Sequence, residues 1–309
     1  MKTKKFRVTV IITFLSLIAL IIAGSVVRTT GSGLGCPDWP HCFSQWIPPT
    51  DISQLPADYK ERFAVAGKQI ADFDVLKTWI EYINRLLGVI VGIEMMFLVA
   101  FAWPLRRVRP RLFSGSLALF ILTCIQGGIG AKVVSSSLAP HLITLHMVIA
   151  LIIVVMCAAL WILVEPPRKP LTARSSALGK IILALGFVQL VLGTEVREGV
   201  DVITNSGVLD RSLWLDQDSM IFLVHRSFSI LFLLTFLFWI GQLWKEERSS
   251  GARAMIVALL IVTFLAPISG IILSYFSMPA FAQPLHLLVA TLILSGVFAL
   301  IYRPSHASP

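Results

Sequence analysis

The residues of this chain best suited to chemistry are three histidines and an asparagine set in apolar sequence at spacings that repeat. Gly130 to His146 reads GAKVVSSSLAPHLITLH and Gly270 to His286 reads GIILSYFSMPAFAQPLH, the same sixteen-residue step from glycine to histidine. A second echo lies upstream. Asn84-Arg85 and His225-Arg226 are 141 positions apart, while His146 and His286 are 140 apart. Two pairs with nearly one offset indicate a duplicated unit. Each copy offers two polar positions on apolar helices, Asn84 with His146 and His225 with His286. Such pairs suit a flat metal cofactor that is ligated on its two faces.

Zinc would need three or four nitrogen, sulfur or carboxylate ligands gathered around a point, and the second copy supplies only two imidazoles. Two imidazoles from facing helices fit the axial positions of haem iron instead, and a four-helix unit encloses such a group. Arg226, beside His225, and its counterpart Arg85 are placed to pair with propionates. Glu81, Asn84 and Arg85 stand at i, i+3 and i+4 and share one helix face. They are read either as an interfacial ion pair or as the lining of a polar pocket, since ionisable groups at a membrane edge are costly without a task. Glu94 lies deeper on the same helix and is expected to be a hydrogen-bonded packing residue, with Gln126 or Gln189 as its candidate partner. Cys36 and Cys42 sit six residues apart in the run TTGSGLGCPDWPHC. In an oxidising compartment they could close a small loop; with His41 adjacent, a catalytic or metal role is the alternative. Cys124 and Cys157 fall inside apolar runs, where a thiol behaves as a small hydrophobe.

The elements that must position these residues are membrane helices. The 309 residues are 56% hydrophobic, with a mean hydropathy of +0.83, far more apolar than a soluble globular domain. Runs long enough to cross a bilayer can be marked at 8–27, 80–103, 112–134, 142–164, 178–196, 221–243, 254–276 and 285–302. The expectation is an all-α polytopic membrane protein of eight transmembrane helices, arranged as two pseudo-symmetric four-helix bundles. These would be residues 1–170, with a long outer loop at 29–78, and residues 171–309. Residues 1–25 also read as a signal peptide. Gly24-Ser25-Val26-Val27-Arg28 echoes Gly193-Thr194-Glu195-Val196-Arg197, however, so they are taken as a retained first helix.

Lysine and arginine set the orientation. With the N-terminus cytoplasmic, the inner segments hold Lys2, Lys4, Lys5, Arg7, Arg106, Arg107, Arg109, Arg111, Arg168, Lys169, Arg174, Lys180, Lys245, Arg248, Arg253 and Arg303. Both termini are therefore expected inside a cell (inner) membrane. The net charge of +9 follows from this topology and anionic lipid, and no nucleic-acid partner is needed. The second, fourth, sixth and eighth helices then all run inward, which brings Asn84, His146, His225 and His286 to the outer side. A transport site would lie nearer the midplane. Residues 198–220 are expected to form a second outer loop.

Taken together, the TGSGLGCPDWPHC run, Glu81-Tyr82 through Arg85, the QGGIGA turn at 126–131, the three histidines and the duplicated eight-helix plan resemble the haem A synthases over nearly the whole chain. The resemblance implies oxidation of the C8 methyl of haem O to a formyl group through hydroxylated intermediates, for cytochrome oxidase biogenesis. It implies a haem b in the second half ligated by His225 and His286. The substrate haem O would lie in the first half on His146, with Glu81 as the catalytic carboxylate. Cys36 with Cys42 match an outer-loop pair that can form a disulfide. Implied partners are haem O synthase, oxidase assembly factors, membrane lipid and an unidentified electron donor or acceptor; a homo-oligomer is compatible. The family pattern commonly reads E-x-x-H-R, and Asn84 stands here at the histidine position. That departure can mean an open face on the substrate haem or a divergent homologue, with His141 and His41 as possible replacements. The competing functions are a haem-binding membrane electron carrier and a non-catalytic haem chaperone.

Overall fold

The computed structural model describes residues 2–165, 169–247 and 249–302, and among these the ordered elements are helices. Arg168, Arg248 and Arg303, counted above with the inner basic residues, lie outside the described residues. Eight helices are long and apolar enough to cross a membrane: α1 (Lys2–Thr29), α3 (Val75–Ala102), α4 (Pro110–Ser135), α5 (Pro140–Val164), α6 (Ala173–Asn205), α7 (Met220–Glu246), α8 (Ser250–Tyr275) and α9 (Ala282–Ile301). A one-turn helix, α2 (Tyr59–Arg62), interrupts the long loop between α1 and α3. Leu15, Val89, Leu234 and Ile261 are more than half exposed, as expected of side chains that face lipid rather than water.

Helix starts follow local chemistry. Asp74 caps α3 by accepting from the Lys77 amide, and Thr172 and Ser249 cap α6 and α8 in the same manner. Such side chains satisfy amides that the first turn leaves without partners. Pro140 opens α5, where its missing N–H costs nothing. The turns before α5 and α9 are alike: Ser137 and Leu138 have φ of 55° and 64°, and Ser277 and Met278 have 56° and 46°. Those positions repeat at an offset of 140, the offset of the two histidines they precede.

The chain divides into two compact units, Met1–Cys157 and Ala158–Pro309. In the first, α1 packs along α3 and α3 along α4. The α5 helix joins α1 through the Cys157 thiol, 3.7 Å from the Val10 carbonyl, and joins α4 through Gln126, whose amide donates to the His146 carbonyl at 2.7 Å. In the second, α6 packs against α7 and α9, and α8 against the same two. Its core is formed by Ile182, Phe236, Trp239, Leu243, Ile256 and Ile293 among others. The two units thus share one plan, α1 corresponding to α6, α3 to α7, α4 to α8 and α5 to α9.

Two expectations are corrected. The second outer loop begins only after Asn205, because α6 continues two turns past its apolar run. An Arg197–Asp201 pair at 2.8 Å along the helix, with Arg197 also donating to Gln283 at 2.7 Å, keeps those polar turns helical. Glu94 pairs with neither glutamine. It accepts from the Ser16 hydroxyl of α1 at 2.8 Å, while Gln126 and Gln189 are spent on histidine carbonyls.

Candidate functional site: two histidine-bearing units and a clamped loop

In the second unit the His225 and His286 rings face each other with centroids 6.5 Å apart and planes at 68°. A metal bond of roughly 2 Å on each side, plus about 1.2 Å from nitrogen to ring centre, places two axial imidazoles ~6.4 Å apart. The observed spacing of 6.5 Å is compatible with an iron held between them. Ser269 fixes which nitrogen is available. Its hydroxyl donates to the Ala266 carbonyl at 2.9 Å and therefore accepts from His286 Nδ1 at 2.8 Å, which leaves Nε2 as the lone-pair nitrogen. His225 Nδ1 is buried without a partner.

Each ligand position lies against a glycine of the neighbouring helix. A Cβ on Gly193 would approach His225 Cε1 to 3.1 Å, and one on Gly270 would stand 3.6 Å from His286 Cε1. The first unit repeats the arrangement: a Cβ on Gly130 would stand 3.3 Å from His146 Cε1, and one on Gly24 3.7 Å from Asn84 Oδ1. His146 Nδ1 and Asn84 Oδ1 are both buried without partners. Gln126 and Gln189, each four residues before its glycine, hold the carbonyls of His146 and His225 at 2.7 and 3.1 Å. The sequence reading took these glycines as marks of the repeat and these glutamines as candidate partners of Glu94, and did not place them beside the histidines, although Q-x-x-x-G stands at both places. It also passed over Ser269.

Glu81 is 3% exposed in the second turn of α3. One oxygen accepts from the Cys36 amide at 2.8 Å and the other from Arg85 at 2.5 Å. The remaining reach of Arg85 goes to the loop: its guanidinium donates to the carbonyls of Cys36 at 2.6 Å, Asp38 at 2.6 Å and His41 at 2.9 Å. Those carbonyls belong to the small ring closed by the Cys36–Cys42 disulfide. Gly35 must be glycine, since a Cβ there would meet the Lys77 carbonyl at 2.5 Å. Phe43, Tyr59, Phe63 and Phe73 pack around the disulfide as a core of the loop's own. Further out, Lys60 and Asp72 pair at 2.5 Å, which raises the lysine pKa and lowers the aspartate's. A cavity of about 320 Å³ opens between Pro37–Trp39 of the loop and Gly128, Lys132 and Ser135 of α4.

The remaining expected residues are dispersed. Arg226 is exposed, its guanidinium 5.8 Å from the Phe222 ring. The His41 ring sits edge-on to Trp46 at 4.4 Å. His141 is exposed at the first turn of α5, Cys124 is exposed and Cys157 is buried.

The sequence pattern of the Cytochrome oxidase assembly protein family (COX15-CtaA) matches residues 7–298. This chain belongs to that family. Similar members include a protein named Heme A synthase from Pelagibacter ubique, 28% identical over 334 residues, covering 96% of this chain and 96% of that protein. The Heme A synthase of Methylobacterium nodulans is 25% identical and covers 90% of this chain and 86% of its own length. That of Sinorhizobium fredii is 25% identical at 96% and 89% coverage. The family match spans both histidine-bearing units, from within α1 to within α9. The α7 and α9 imidazoles lie 6.5 Å apart, and those of α5 and α7 each have a buried Nδ1 without a partner.

Proposed function

We infer that this chain is a haem A synthase: a multi-pass membrane oxidoreductase that converts the C8 methyl of haem O to a formyl group through hydroxylated intermediates. The observation that carries this reading is the coexistence of a bis-imidazole pair at 6.5 Å in one unit with His146, whose repeat partner is the amide Asn84, and a buried, clamped carboxylate in the other. One site is built to hold a haem permanently, and the other to act on one. Coverage of nearly the whole chain by relatives bearing the name supports the assignment.

In this reading His225 and His286 hold a haem b in the second unit. That group supplies a one-electron relay, a property six-coordinate bis-histidine haems offer. His146 holds the haem O substrate in the first unit. Glu81 stands one helical turn before Asn84, on the same face, and takes up a proton released as the methyl is oxidised. Arg85 and the Cys36 amide keep that carboxylate fixed between turnovers. Arg85 thereby acts on the loop and on Glu81 before any propionate, and Arg226 is the cation read here as pairing with one. The chain would receive its substrate from haem O synthase, deliver product to oxidase assembly factors, and have both termini in the cytoplasm. A diheme electron carrier would use two axial histidines in each unit, and Asn84 disfavours it.

The test is chromatography of the haems extracted after co-expression with a haem O synthase. Wild type yields haem A or its hydroxylated precursor, and Glu81→Ala loses at least tenfold of that product, the lower end of general acid–base contributions being about 10²-fold. Full conversion by Glu81→Ala would remove Glu81 from the chemistry, and unchanged haem O in wild type would favour the chaperone.

A further inference from the structure

The duplication allows the two units to be compared position by position, and they differ at one ligand. Asn84-Arg85 on α3 corresponds to His225-Arg226 on α7. Both positions lie against a glycine of the preceding long helix: a Cβ on Gly24 would stand 3.7 Å from Asn84, and one on Gly193 3.1 Å from His225. The asparagine oxygen is buried and unpartnered, so no protein donor claims it. A neutral amide is a poor ligand for haem iron, where imidazole, thiolate and thioether serve.

Among the described residues of the first unit, the other candidate side chains are occupied or turned away. His41 is turned to Trp46, and His141 is exposed. The Met147 sulfur accepts from Arg28 at 3.1 Å, and both Glu81 oxygens are engaged. We propose that a haem in the first unit has His146 as its single protein ligand, with Asn84 bordering the opposite face without ligating it. That face then takes an exchangeable small molecule, while the second-unit haem, closed by two imidazoles, does not. The proposal rests on the haem-binding reading above and adds to it an open coordination position confined to one unit. It also assigns Asn84 its role: the side chain keeps the position open and offers its unpartnered oxygen to a hydrogen-bond donor there.

The experiment uses the full-length protein carrying haem in both units, with carbon monoxide as the probe. Ferric electron paramagnetic resonance and the reduced, CO-treated difference spectrum are recorded for wild type, Asn84→His and Asn84→Leu. In wild type about half of the bound haem is expected to be high-spin and to take CO. Asn84→His should convert that fraction to a second low-spin, CO-inert haem. Asn84→Leu should leave the fraction unchanged, and it serves with wild type if the histidine variant does not fold. The proposal is overturned if wild type with two haems is wholly low-spin and CO-inert, if Asn84→His keeps the CO-reactive fraction, or if Asn84→Leu enlarges it, since the amide would then have been a ligand. Product formation is measured on the same samples. CO-reactive haem without oxidation of haem O refutes the catalytic reading and leaves this one standing, and oxidation by a CO-inert protein does the reverse.

Discussion

At the scale of single residues, Arg85 binds the site together. Its fork satisfies three loop carbonyls and one buried carboxylate, a task the single ammonium of lysine does not reproduce. Removing it leaves Glu81 buried and unpaired, so Arg85→Ala is expected to cost about 3–5 kcal/mol of stability, with Arg85→Lys recovering little of it. Thermal unfolding in detergent measures this, and two midpoints equal to wild type would show that the clamp is idle. Ser269 is the second such residue. Without its hydroxyl the His286 ring loses the contact that sets its tautomer, and Ser269→Ala should weaken second-unit haem affinity by about 10–100-fold. Ser269→Thr, which keeps the oxygen, should stay near wild type in the same haem titration.

At the scale of elements, α6 shows how a helix sets the depth of a ligand. Gly179, Gly186 and Gly193 recur every seven residues. A Cβ on the first would meet Ile301 at 2.7 Å, on the second Leu294 at 2.7 Å, and on the third His225 at 3.1 Å. Small residues let helices approach closely within a membrane, and here they seat α9 at Gly179 and Gly186 and α7, with its histidine, at Gly193. Gly193→Leu should therefore displace the His225 ring and lower the haem-to-protein ratio from two toward one. A ratio of two in that variant would mean that the glycine contact does not position the ligand. Gly186→Leu, away from the histidines, should lower stability by about 1–3 kcal/mol through overpacking while the haem ratio stays at two.

At the scale of the whole molecule, the duplication is what made the site readable. A histidine repeated at one offset on corresponding helices identifies a shared geometry without any structure, and the matching left-handed turns at 137–138 and 277–278 are its backbone counterpart. Other features depended on non-local contacts that no spacing discloses. The carbonyls on Arg85 come from residues 44 to 49 positions away, and Glu94 finds Ser16 across 78 positions. The polar end of α6 was misread because hydropathy marks where lipid ends, whereas helix continuity there rests on an ion pair. The basic residues on alternate connections lead to a further expectation. In intact cells a membrane-impermeant thiol reagent should label Leu213→Cys but not Val108→Cys, both exposed positions, and the reverse pattern would invert the topology. The division of labour between the units is tested most directly by His146→Ala, co-expressed with a haem O synthase and assayed by chromatography of its extracted haems. Haem B retained in the second unit with no haem A formed is the predicted result, and undiminished haem A would contradict the placement of the chemistry in the first unit.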